Sequence, residues 1–134
     1  MRHRLTALLA GTAVLVLTGC GTPGIADAVR PGAPSGWEGD PTGDGPVAGW
    51  IDEGTRFAVV TLGSSSCPIV VTALTVQADD RLSLTFASSP NDPCTADLAR
   101  TTHEFDLPGG ITGRPVTITV SYEDGHGTDT LSLE

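Results

Sequence analysis

Between Val116 and Tyr122 the chain reads Val-Thr-Ile-Thr-Val-Ser-Tyr, a strict alternation of apolar and hydroxyl side chains. A side-chain period of two belongs to the β-strand, so this run must lay one face on a core and turn the other to water. Val116, Ile118, Val120 and Tyr122 form the apolar face. Glu123-Asp-Gly-His-Gly127 follows as turn chemistry, and Thr128 to Leu133 returns as a partner strand with Leu131 and Leu133 inward.

The same grammar recurs upstream. Arg56 to Thr61 is rich in strand formers and stops at Gly63, Ile69 to Ala78 continues in β-branched residues, and Arg81 to Phe86 alternates again. Asp79-Asp80 separates the last two runs, which predicts a hairpin with a tight turn. Thr102 to Leu107 is a shorter strand candidate. The best helical segment is Thr95 to Arg100, where Thr95 is able to cap a single turn. Six or seven strands within residues 47–134 predict an all-β fold, a small antiparallel β-sandwich open to Greek-key connections. Trp50 precedes both Cys67 and Cys94, so the core tryptophan between paired cysteines that marks immunoglobulin domains is absent.

Cys67 and Cys94 flank the central hairpin, each beside a proline. In a small domain outside the cell they are expected to form a disulfide, whose loop of about 27 residues is worth ~3–4 kcal/mol in the chain-entropy model. The competing reading, a redox or metal site, lacks a C-x-x-C pair and a nearby histidine. Gly63-Ser-Ser-Ser-Cys67-Pro68 with Cys94-Thr-Ala-Asp97-Leu98 resembles a pattern of small uncharacterised lipoproteins and secreted proteins of high-GC Gram-positive bacteria. Over residues 50–120 that resemblance implies a disulfide-pinned β domain and brings no activity with it.

The first 20 residues carry a different message. Arg2 and Arg4 precede an apolar stretch from Leu5 to Leu17, and Leu17-Thr18-Gly19-Cys20 places small residues before a cysteine. About 13 apolar residues suit a signal-peptide h-region and fall short of the ~20 a membrane-crossing helix needs. The tetrapeptide resembles the lipobox of bacterial lipoproteins. That resemblance implies cleavage after residue 19, a diacylglyceryl group on the Cys20 thiol, and attachment to the extracytoplasmic face of the cell membrane. An ordinary secretory signal or an uncleaved anchor are the alternatives; the first leaves Cys20 an exposed thiol in an oxidising compartment. Two acyl chains hold a protein stably where one does not. Basic residues that are arginine only, with abundant Gly, Ala and Asp, point to a GC-rich coding sequence and an actinobacterial type of envelope.

Loss of residues 1–19 removes Arg2 and Arg4 and no acid, so the net charge moves from −9 to −11. Such a surface disfavours nucleic acid and electrostatic adhesion to anionic lipid. From Gly21 to Pro46, Gly and Pro dominate, hydrophobic periodicity is absent and Trp37 is the lone aromatic group. This segment reads as a flexible tether reaching roughly 25–30 Å, with Trp37 as a mobile linker residue rather than a docked one.

Candidate chemistry is sparse. Ser64, Ser65 and Ser66 invite a nucleophile reading, but G-x-S-x-G and its strand-turn-helix setting are missing. Only His103 and His126 remain as bases after cleavage, and neither is tied to the serines by sequence. The acidic turn from Glu123 to Asp129 departs from calcium-loop spacing, so no metal or other cofactor is expected. The expectation is therefore a non-enzymatic module that binds an envelope protein or ligand through loops at one end. Ser64, Ser65, Ser66 and Asp97 are its proposed contact residues. A small-ligand or metal carrier of an uptake system is the alternative, and an enzyme dependent on His103 or His126 the third.

Overall fold

The computed structural model describes residues 25–37 and 45–134. Among them the fold is all-β, with eight strands in two four-stranded sheets packed face to face. The strands are β1 (Ala28–Pro31), β2 (Val47–Asp52), β3 (Arg56–Gly63), β4 (Val70–Ala78), β5 (Arg81–Ala87), β6 (Ala99–Asp106), β7 (Val116–Tyr122) and β8 (Thr128–Leu133). One sheet has the order β1-β6-β3-β2 and the other β4-β5-β7-β8. The hairpins turning at Asp79-Asp80 and at residues 123–127 both form as the alternation predicts. Gly125 and Gly127 take φ of 78° and 103°, which a side-chain-bearing residue rarely adopts.

Three features differ from the sequence reading. The sandwich is not wholly antiparallel, because β5 pairs with β7 in parallel. After β5 the chain crosses to the other sheet as β6, then crosses back, so β7 comes in beside β5 in the same direction. Seven strands lie within residues 47–134, as expected, and β1 is an eighth. Strand β1 lies within the segment read as a tether and pairs with β6, Val29 opposite His103. Thr95 to Leu98 forms no helical turn; the Thr95 hydroxyl donates to Asp97 and strand β6 begins at Ala99.

The period-two faces build the core. Phe57 and Val59 from one sheet meet Leu82, Leu84, Phe86, Ile118 and Val120 from the other, all buried. Phe57 stacks on Phe105 with ring centroids 5.0 Å apart. His103 is also fully buried here, edge-on to Phe86 at 5.1 Å, its Nε2 3.1 Å from the Thr61 hydroxyl. Its Nδ1 has no hydrogen-bond partner.

From β1 the chain runs as a strap from one edge of its sheet toward the other. Gly32 donates its N–H to the Arg100 carbonyl at 2.8 Å and accepts from the Thr102 hydroxyl. At Trp37 the indole lies against Gly49 of β2 so closely that a Cβ there would overlap it. Trp37 is thus docked rather than mobile. Beside the strap, Glu104 on β6 accepts from Arg30 on β1 at 2.9 Å and from Arg56 on β3 at 3.0 Å, tying three neighbouring strands. At the far edge, Trp50 of β2 donates to the Glu134 carbonyl at 2.7 Å beyond β8, which closes the sandwich on that side.

Two predictions follow from this packing. Gly49→Ala should displace the Trp37 indole into water while leaving the sheets intact, read as a red shift of tryptophan emission with unchanged far-ultraviolet circular dichroism. Burial holds the His103 pKa down at about 4, below its ordinary 6.5. The unfolded chain therefore binds the extra proton first, and stability present above pH 6.5 is lost as pH falls toward 4. The loss is on the order of 3 kcal/mol. Denaturant titrations across that window should show the difference in slope vanish in His103→Gln.

Candidate functional site

The connections after β3, β5 and β7 all emerge at one end of the sandwich, since β5 and β7 run parallel. Two of them, residues 64–69 and 88–98, are the places where the chain crosses between sheets. The Cys67–Cys94 disulfide joins them, with S–S 2.08 Å and Cα atoms 5.4 Å apart. Strand β3 delivers the three serines straight from its last residue, Gly63, while Pro68 prevents the strand from continuing.

Ser64, Ser65, Ser66 and Asp97, far apart in sequence, meet around Thr95. The Thr95 hydroxyl lies 2.9 Å from Ser64 Oγ, 3.3 Å from Ser65 Oγ and 3.2 Å from Ser66 Oγ. Ser66 Oγ accepts from the Thr95 N–H at 2.9 Å, and Asp97 Oδ1 accepts from the Ser65 N–H at 3.1 Å and from the Thr95 hydroxyl. Asn91 donates its side-chain amide to the Ser66 carbonyl at 2.8 Å. Hydrogen bonds from Ser65, then from Thr95, hold the Asp97 carboxyl at about 2, well below its ordinary 3.8. One fixed negative charge thus sits in a net of hydroxyls. Leu98, next in the chain, is 77 % exposed.

Asn91 and Thr95 lie in the loop expected to form the patch but, like Leu98, are not among the contact residues expected from the sequence. Thr95 stands beside Cys94, and a hydroxyl next to a bridged cysteine facing a serine run is the signal that points to it. Leu98 is an isolated large apolar residue in a polar loop, which sequence alone does not separate from a core position.

The histidines are elsewhere. His103 lies in the inter-sheet core on Thr61. His126 sits on the β7–β8 tip, its Nε2 3.5 Å from Asp124. With Tyr122 and Asp129 it lines a cleft of about 380 Å³ at the same end of the fold. The Tyr122 hydroxyl donates to Asp129 at 2.9 Å. Burial, then that carboxylate, pushes the Tyr122 pKa up to about 12. Among the described residues no group of three His, Cys, Asp or Glu side chains is placed to hold a metal ion. Cys20 lies outside the described residues.

No model of a known protein family, no curated protein and no solved structure matches this chain.

Breaking the staple with Cys67→Ala and Cys94→Ala together should cost ~3–4 kcal/mol of unfolding free energy. Amide exchange should speed up first in residues 64–69 and 88–98, leaving the β4–β5 and β7–β8 hairpins protected.

Proposed function

We propose that this chain is a membrane-anchored extracytoplasmic lipoprotein whose β-sandwich is a non-enzymatic binding module for a protein or another envelope component. The observation that carries the binding half is the disulfide-pinned loop patch: four hydroxyls and the Asp97 carboxylate in one hydrogen-bonded net, with Leu98 projecting beside them. Loops already fixed by a crosslink and by one another lose little entropy when a partner docks. An exposed leucine on a rigid polar surround has the make-up of an interface anchor ringed by hydrogen-bonding groups. The serine hydroxyls are engaged with Thr95 rather than with a base, which favours recognition over nucleophilic chemistry. The anchoring half rests on the lipobox-like Leu17-Thr18-Gly19-Cys20.

Two measurements test this reading. Mass spectrometry of protein extracted gently from its own membranes should find a chain beginning at Cys20, carrying diacylglycerol and two hydrogens lighter for the disulfide. A chain without lipid refutes the anchoring, and a small molecule or metal retained in the native mass makes the protein a carrier instead. A photo-crosslinking side chain at position 98 in intact cells should capture one defined partner, whereas the same group at Asp80, at the opposite end of the sandwich, should not. For that partner Leu98→Ala should weaken binding by about tenfold.

A further inference from the structure

The two edges of the sandwich differ. On one side β2 and β8 meet, closed by Trp50 and the Glu134 carbonyl. On the other side the edge strands are β1 and β4, with no close backbone contact between them. The gap is a groove of about 230 Å³ whose walls include Ile25 just before β1 and Val29 within it, facing Val70 of β4 and Pro68, Ile69 and Pro90 of the two stapled loops. Three of these are large apolar side chains left in the open, Ile25 at 43 %, Val29 at 53 % and Val70 at 38 % exposed. None of the groove's ten lining residues is charged, in a chain with 7 basic and 16 acidic side chains. An uncharged apolar seam stands out on so acidic a protein.

We infer that this seam seats on the lipid bilayer that holds the Cys20 anchor. The inference rests on the lipoprotein reading proposed above. Its warrant is where the chain enters the fold. Ile25 is a wall of the groove, and strand β1 pins the chain to β6 three residues later. The span from Cys20 to Ile25 is therefore at most about 17 Å even when fully extended. A headgroup layer is about 6 Å deep on each face of a bilayer. The tether that matters is thus Gly21 to Gly24, and it brings the seam, rather than any other face, to the membrane. Charge acts in the same direction: anionic headgroups repel the acidic surface and least of all the uncharged seam.

A protein strand added to either edge is the competing occupant, and both edges are poor templates for it. Strand β1 is only four residues long and ends in Pro31, and β4 carries register shifts at Val71/Ala73 and Val76/Ala78. Shortness, proline and bulges are the devices by which edges resist strand addition. Lipid needs no such template.

The test uses the full lipid-bearing protein, its Cys20 modification first verified by mass, in phosphatidylcholine–phosphatidylglycerol nanodiscs containing a nitroxide-labelled lipid. With methyl-labelled protein, relaxation enhancement at Ile25, Val29, Ile69 and Val70 should exceed that at Val47 and Leu131, on the closed edge, several-fold. In the double variant Val29→Asp/Val70→Asp the contrast should disappear while the disulfide and the core methyl spectrum persist. Equal enhancement at both edges in verified lipoprotein overturns the inference. So does a seam untouched by the labelled lipid yet shielded from an aqueous relaxation agent, which would mean a protein occupant. Absence of lipid on Cys20 overturns the underlying reading instead, so the two failures are told apart.

Discussion

The fold hinges on a crosslink between two sheet crossings. A sandwich of this size has a thin core, one layer of side chains from each sheet, and its weakest places are where the chain leaves one sheet for the other. Here both crossings at one end, after β3 and after β5, are joined by Cys67–Cys94. The bond does more than shorten the unfolded chain. It sets the distance between the serine run and Thr95, and so makes the hydroxyl net around Asp97 a fixed object rather than two independent loops.

Around that staple the surface divides into regions with different physical character. The outer face of the β1-β6-β3-β2 sheet is crossed by the strap ending at Trp37, with Glu104 pairing Arg30 and Arg56 beneath it. One edge is shut by Trp50, over whose ring Arg114 also lies at 4.8 Å. The opposite edge is open and apolar, and the stapled end is polar with one protruding leucine. The open edge and the stapled end adjoin, since Pro68, Ile69 and Pro90 of the stapled loops also line the apolar groove. Among the few buried polar residues is one histidine, kept neutral by burial and hydrogen-bonded to Thr61.

Much of this was legible from the residues. The alternation in Val116–Tyr122 and Arg81–Phe86 gave the inward faces correctly, because in a strand the pattern is the structure. The disulfide was legible because two cysteines flanking a hairpin, with no C-x-x-C pair and no histidine beside them in sequence, have few other fates. Ser64, Ser65, Ser66 and Asp97 were named as one patch because the same crosslink had to bring their loops together. What the residues hid was local weakness rescued by distant partners. Ala28-Val29-Arg30-Pro31 has no period and sits among Gly and Pro, so its strand exists only because β6 offers an edge, and Arg30 finds Glu104 74 residues away. Gly49 reads as a strand breaker until Trp37 is seen to need its missing side chain. Thr95 reads as a helix cap until Ser66 claims it. The parallel β5–β7 pair was hidden for a topological reason, since strand direction depends on how many times the chain changes sheets and no residue encodes that count.

The pairing of β1 with β6 carries a consequence for how the molecule comes into being. Strand β1 has to wait for β6, and Trp50 waits for Glu134, 84 positions further along. Contacts closed over such distances form slowly, because the entropy of the intervening chain is lost before any of them repays it. A chain formed from its amino end would therefore have β1 unpaired and the inner face of the β2–β3 hairpin uncovered until later strands arrive. The β2–β3, β4–β5 and β7–β8 hairpins, by contrast, can assemble as soon as each appears. The time between the arrival of Ala28 and that of Asp106 is an interval of vulnerability, during which the open edge has nothing of its own to lie against.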